Sequence, residues 1–370
     1  MKILQVITTI QKAAGTSVFC GELANGLVAD GHDVAIAICD RSIDDTYPLD
    51  SGVKLIPISS LLSSRQAYDK NKYNIVHIHG LWSPILHRVH NWARCNEIQV
   101  VWSTHGMTAP WALKHKWWKK CLAWWLYQRR DLIDATLIHC TTEQEAKWNR
   151  NLGFTKCYVV PLGTDIDCIK RTSCATTNKR LLFVGRLYPV KGLENLIHAW
   201  RIVCDSSTYK SFSHAEDSWK LRIVGPDQAG HQATLMALVK SLKLDACVEF
   251  PGPKYGAELA REYDECDCLA LPSYTENFGA TVVDAMARGK PVITSTYTPW
   301  EEVVERVCGW WVRNDPQSLS GAILEMIDAG NARRAAMGLN GRKLVEEKYT
   351  WSAVIKAMVK GYEEIQNVKA

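Results

Sequence analysis

Two carboxylates eight residues apart, Glu276 and Asp284, bracket the most chemically loaded stretch of the sequence, within the run Pro272-Ser-Tyr-Thr-Glu-Asn-Phe-Gly-Ala-Thr-Val-Val-Asp284. An apolar strand pattern ends at Leu271, a loop carries Glu276, and Gly279 opens a helix just after Phe278. The first amides of that helix, at Gly279, Ala280 and Thr281, have no intrahelical carbonyl to bond and form a ready site for phosphate oxygens. Asp284 lies about 7 Å farther along the helix axis, at ~1.5 Å per residue. Such an arrangement can flank a sugar nucleotide, with the diphosphate at the helix N-terminus, a hexose near Glu276 and a ribose near Asp284. The competing explanation is an acidic segment that only complements the helix dipole.

A second cluster, Leu182-Phe-Val-Gly-Arg-Leu-Tyr-Pro-Val-Lys-Gly192, sends Arg186 from a strand end and Lys191 from a Pro-Gly loop. A departing diphosphate needs its charge neutralised, and these two cations can do so without a metal. Read alone, the same turn is equally a solvated one. His105, between a strand and Gly106, is either a turn residue or an active-site group. His77 and His79 share one strand and are expected on opposite faces, with His79 alone reaching the site, so no metal pair is expected there. Asp165-Ile166-Asp167 is a literal D-x-D, but it follows Pro161-Leu-Gly at the start of a polar linker. No catalytic metal and no cofactor are expected.

The elements that must position these groups follow one alternation. Short β-branched runs at 3–8, 34–39, 53–58, 75–79, 99–103, 136–140 and 158–161 form a first strand series. A second series runs through 180–184, 221–224, 248–250, 268–271, 292–294 and 310–312, with helical patterns at 193–204, 233–242, 280–288 and 318–328. Strands alternating with helices indicate βαβ units and parallel sheets. The expected fold class is therefore α/β, with two Rossmann-like, doubly wound domains facing each other across a cleft. The first domain is placed at 1–164, a polar linker at 165–179, the second domain at 180–348, and a C-terminal helix at 349–370 that packs back toward the first domain. In doubly wound sheets, ligands sit at the carboxyl ends of the strands. Neither G-x-G-x-x-G nor G-x-x-x-x-G-K-[ST] follows a strand, which argues against dinucleotide oxidoreductases and P-loop NTPases.

Composition narrows the setting. A chain of 370 residues that is 47% hydrophobic and 22% charged is too apolar to be disordered and too long for one ordinary core. Its 13 cysteines are odd in number and contain no C-x-x-C, against a disulfide framework or a zinc ribbon. A reducing, cytoplasmic compartment is expected, and the apolar start reads as a buried strand and not as a signal peptide. No window approaches the ~18 apolar residues of a spanning helix.

Taken with the Gly31-His32-Asp33-Val34 turn, Ile75-Val-His-Ile-His79, Thr104-His105-Gly106 and Pro161-Leu-Gly-Thr-Asp165, both clusters resemble glycosyltransferase family 4, retaining enzymes of the GT-B architecture. The resemblance spans nearly the whole chain. It implies that Glu276 meets the donor sugar's hydroxyls, that residues 279–281 hold the phosphates and that position 284 holds the ribose, with aspartate in place of the family's second glutamate. By the same resemblance, His105 stands beside the donor sugar where the acceptor enters, with His79 on the acceptor side. Pro253, Lys254 and Tyr255 would form the nucleobase loop, and Gly15 would let phosphate or sugar approach the backbone. Leu162 stands where the family usually has asparagine, and Ala14-Gly15 where a glycine pair is usual. Front-side attack is the mechanism that the resemblance implies.

One stretch is unusual. Residues 111–130 hold five of the 15 tryptophans and six of the 44 basic residues with no acid, and the remaining chain carries 38 basic against 39 acidic residues. On a continuous helix Trp111, Trp118, Leu122 and Trp125 would share one face and Lys116, Lys119 and Lys120 another. Such a helix either docks at an anionic membrane surface or packs its tryptophans into the core. The expectation drawn is a hexosyltransferase at the inner face of the cell membrane, moving a sugar from a UDP- or GDP-sugar to a glycan or lipid-linked acceptor in polysaccharide or lipopolysaccharide assembly. Nucleic acid is not an expected partner. The rival readings are a sugar-nucleotide epimerase of the same fold and a non-catalytic partner subunit.

Overall fold

The computed structural model describes residues 1–11, 15–39, 47–63, 73–114, 116–166, 179–207, 209 and 218–367. Ala14, His115 and the interval 167–178, with Asp167 of the D-x-D, lie outside the described residues. The chain divides into two compact units, Met1–Gly163 with Trp351–Ala370, and Thr164–Thr350.

The first unit is a seven-stranded parallel sheet in the order β3-β2-β1-β4-β5-β6-β7. Its strands are β1 (Lys2–Val6), β2 (Asp33–Ile38), β3 (Lys54–Pro57), β4 (Ile75–His79), β5 (Gln99–Ser103), β6 (Leu137–Cys140) and β7 (Cys157–Val159). Because side chains alternate across the sheet, each strand feeds two cores. Leu4, Val76, Val100, Trp102 and Ile138 bury one face. Ile3, Ile75 and Val101 bury the other, under Phe19 and Leu23 of the helix Gly15–Ala29 and Val354, Met358 and Tyr362 of the helix Trp351–Asn367. The last helix of the chain thus completes the first unit.

The second unit is a six-stranded parallel sheet, β10-β9-β8-β11-β12-β13. Its strands are β8 (Arg180–Val184), β9 (Lys220–Val224), β10 (Val248–Gly252), β11 (Cys268–Leu271), β12 (Val292–Ser295) and β13 (Gly309–Val312). In both units the chain order reverses at the first strand, between β1 and β4 and between β8 and β11. At these switch points the connections depart to opposite faces and leave a crevice at the strands' carboxyl ends.

Candidate functional site

Arg186 and Lys191 leave β8, and Glu276 leaves β11, so both cations and the carboxylate stand at the second unit's switch point. Lys191 lies on the turn Pro189–Lys191 and its ammonium pairs with Glu276, with the two side chains 16% and 13% exposed. Ser273 Oγ also donates to Glu276, at 2.8 Å. Gly192 makes this approach possible: its φ is 69°, and a Cβ there would stand 2.1 Å from the Pro272 carbonyl oxygen. Arg186 is exposed and donates to Gln228 at 3.1 Å.

The helix Ala280–Ala287 begins immediately beyond, with Gly279 at φ 84° as its cap. Phe278 is buried edge-on against Trp300, whose indole nitrogen donates to the Phe278 carbonyl at 2.5 Å. The Thr281 hydroxyl is buried and makes no hydrogen bond among the described residues. A fixed helix start with an unused hydroxyl beside its first amides suits an anion. Asp284, one turn on, accepts from Thr164 Oγ1 at 3.3 Å. Burial pushes its carboxyl up to about 6, against the pull of Arg288 and the Thr164 bond. Pro253, Lys254 and Tyr255 follow β10, two strands away, with Tyr255 exposed and Lys254 3.7 Å from Glu258.

The first unit's switch point is built of histidines. His77 and His79 lie on the same face of β4, their rings stacked with centroids 4.3 Å apart. The expectation of opposite faces is overturned because side chains two apart along a strand share a face. Strand register sets Gln5 beside His77, Ser103 beside His79 and His139 beside Ser103. Phe19 covers the group, stacked on His139 at 5.4 Å and edge-on to His105 at 5.5 Å. His105, half-buried, holds a left-handed φ of 48°. Such a conformation persists in a residue other than glycine only when its surroundings fix it. Here the buried carboxylate of Glu145 fixes it, accepting from the Gly106 amide at 2.5 Å and from Thr104 Oγ1 at 2.7 Å. Burial lowers His105 to about 4 and holds His77, His79 and His139 below the usual imidazole range, so all four rings are neutral at pH 7. Among the described residues, a Cβ at Gly15 would meet no atom within 4 Å.

The basic aromatic stretch is not the continuous helix expected. It divides into Pro110–Lys114, Trp117–Ala123, a π-helical turn at Trp124–Gln128, and Arg129–Asp134, with Lys116 in the left-handed region at the first break. The wide turn tucks Trp124 against Phe154 while Trp125 stays 76% exposed. Trp111, Trp117, Trp118 and Leu122 are each more than half exposed. Lys116 and Lys119 are exposed, but Lys120 is not on a solvated face: it donates to the Ala112 carbonyl and lies 5.7 Å from the Trp82 ring. It closes the chain break from inside. Leu113, Trp117, Trp124 and Leu152 line a cavity of about 310 Å³ beneath.

Sequence reasoning missed Gln5, Ser103, His139, Glu145 and Tyr362. Polar residues standing at the core phase of β1, β5 and β6 were the signal available for the three strand positions, Gln5, Ser103 and His139. Among known proteins, models described as Glycosyl transferases group 1 and Glycosyltransferase Family 4 match residues 168–344 and 13–167. A D-inositol 3-phosphate glycosyltransferase of Kineococcus radiotolerans is 29% identical over 197 residues, covering 49% of this chain and 43% of the relative. The chain spans about half the length of the curated relatives it matches. Sucrose-phosphate synthase from Thermosynechococcus elongatus shares the fold with a TM-score of 0.76 at 20% identity, over 99% of both chains. HepE of Anabaena, solved with UDP and glucose, shares it with a TM-score of 0.73 at 17% identity, over 98% of this chain and 100% of that one.

Proposed function

Because the chain belongs to family 4 of the glycosyltransferases, we propose that it is a retaining hexosyltransferase, moving a sugar from a UDP- or GDP-hexose to a glycan or lipid-linked acceptor. The observation that carries this reading is the Lys191–Glu276 pair beside the opening of the helix Ala280–Ala287 at the β8/β11 switch point. There the diphosphate takes hydrogen bonds from the amides and hydroxyl around Thr281. As the bond to the sugar breaks, negative charge gathers on the phosphate, and Arg186 and Lys191 neutralise it without a metal. Glu276 accepts from hexose hydroxyls, and Asp284 from the ribose. Lys254 and Tyr255 border the base.

The first unit takes the acceptor, with His105 and His79 at its switch point. The exposed indoles, Lys116 and Lys119 rest on the anionic inner face of the cell membrane, and the cavity beneath them suits a hydrocarbon chain, which favours a lipid-linked acceptor. Among the described residues no helix is long and apolar enough to cross a membrane, so attachment would be peripheral.

A thermal-shift panel of UDP- and GDP-sugars would identify the donor, since a ligand that binds the folded state raises its melting temperature. With that donor, Glu276→Gln should reduce transfer to background while the chain stays folded and still binds nucleoside diphosphate. Wild-type turnover in that variant would overturn the donor-site assignment. Loss of wild-type activity in EDTA, restored by Mg²⁺, would overturn the metal-independent reading.

A further inference from the structure

The histidines of the first unit are joined by hydrogen bonds whose direction can be followed from one fixed end. A backbone carbonyl only accepts. His139 Nε2 lies 2.8 Å from the Val160 carbonyl oxygen and therefore carries the ring proton. The other nitrogen of that neutral ring, Nδ1, is then a lone pair, and Ser103 Oγ donates to it at 2.6 Å. A serine hydroxyl has one hydrogen, so Ser103 must accept at its second contact, 2.6 Å from His77 Nε2. His77 Nδ1 in turn accepts the phenolic hydrogen of Tyr362 at 2.6 Å. With that hydrogen committed, the Tyr362 oxygen accepts from Gln5 Nε2 at 3.4 Å, which orients the amide so that Gln5 Oε1 receives His79 Nε2 at 2.6 Å. His79 Nδ1 is left to accept from His105 Nε2 at 3.0 Å. No other hydrogen bond of His105 exists among the described residues.

We propose that this one-way relay fixes the His105 proton on Nε2 and presents Nδ1 as a hydrogen-bond acceptor to substrate, with Gln5, His77, Ser103, His139 and Tyr362 as positioning residues. A lone pair held there receives a hydroxyl hydrogen and repels a carboxylate, so the sugar group that meets His105 is a neutral hydroxyl and not a uronate. That last clause rests on the glycosyltransferase reading; the placement of the proton does not. Neutrality of the rings follows from their burial, which disfavours any added charge. Were one ring an imidazolium, the sense of the bonds beyond it would no longer be forced.

The test is the nitrogen spectrum of the full chain labelled with ¹⁵N-histidine, read through two-bond ¹H–¹⁵N correlations at pH 7 and assigned with His105→Gln. In the wild type, His105, His79, His77 and His139 should each show a protonated Nε2 and a far-downfield, unprotonated Nδ1. Tyr362→Phe removes the hydroxyl whose oxygen accepts from Gln5 Nε2 and so orients the amide. The two nitrogen shifts of His105 should then move toward each other as its tautomers mix, while those of His139, still held by Val160, stay in place. Ser103→Ala cuts the relay two steps earlier, before His77, and should give the same contrast if the phenylalanine variant does not fold. A wild-type His105 with its proton on Nδ1, or a doubly protonated ring at pH 7, overturns the proposal whatever the variants do. So does an unaveraged Nε2 proton on His105 in a folded variant, because the relay is then not what holds it. These spectra need no substrate: absent transfer with the tautomers as stated would remove the enzymatic reading and leave the relay, and the converse result would do the opposite.

Discussion

The Lys191–Glu276 pair ties donor chemistry to stability at two side chains that water reaches poorly. Removing Lys191 leaves a carboxylate with little solvent and, among the described residues, a single serine hydroxyl, whereas Arg186 is already exposed. Lys191→Ala should therefore cost about 2 kcal/mol, a drop of roughly 4–8 °C for a unit of this size, and Arg186→Ala should leave the melting temperature unchanged. Isothermal titration should show both weakening nucleoside diphosphate binding, by about a hundredfold each. Asp284 adds a pH signature. Its folded pKa, about 6, exceeds the ~3.9 of an unfolded aspartate, so the cost of burying its charge is present above pH 6 and fades as pH falls toward 4. The anion is the form that accepts two ribose hydroxyls, so nucleotide affinity should fall about tenfold between pH 7 and pH 5. Titration of Asp284→Asn should show weak, flat binding across that range. These four donor-side residues were legible because strand, loop and helix punctuation placed them locally. Ser103 and Tyr362 were not, because their roles exist only after strand pairing and the return of the last helix.

Among the elements, the divided aromatic segment sets the strongest expectation. Exchanging Lys116 and Lys119 for glutamate turns two attractions into two repulsions, a swing of roughly 4 kcal/mol at ~1 kcal/mol per charge before salt screening. Sedimentation with anionic vesicles should collapse for that double variant and persist with neutral vesicles only through the indoles, while nucleotide binding by the second unit stays intact. Vesicle binding equal to wild type would show that this face meets something other than lipid. Lys120 is left unchanged because its bond to Ala112 is structural. The sequence marked the strands well, since each is a short β-branched run closed by a turn; the expected run at 53–58 ends at Pro57 because Ile58 starts the helix Ile58–Ser63. The break at Lys116 was hidden because no glycine or proline announces it, and the π turn because only tertiary packing separates Trp124 from Trp125.

At the scale of the whole molecule, acid is expected to weigh more on the first unit than on the second, where burial of Asp284 becomes cheaper as pH falls while Asp315, held below the usual carboxylate range by the Ser318 amide, loses its advantage. The buried histidines of the first unit have folded pKa values below the ~6.5 of an unfolded histidine, His105 and His90 down to about 4. The stability they hold is complete above pH 6.5 and is lost as pH falls through 4, with each pKa unit worth about 1.4 kcal/mol. Burial raises Asp131 to about 6 in the same unit, which offsets a part of this. Hydrogen exchange at pH 4.5 should accordingly show the first unit opening before the second, and a second unit that opens first would contradict the sign. The topology carries one more consequence. The helix Trp351–Asn367 belongs to the first unit but is made after residues 164–350. On a ribosome adding ~5–20 residues per second, the nascent sheet of β1–β7 waits roughly 10–40 s with the face of Ile3, Ile75 and Val101 covered by the helix Gly15–Ala29 but still without Val354, Met358 and Tyr362. Of the two units, the one that emerges first is therefore the one that finishes last.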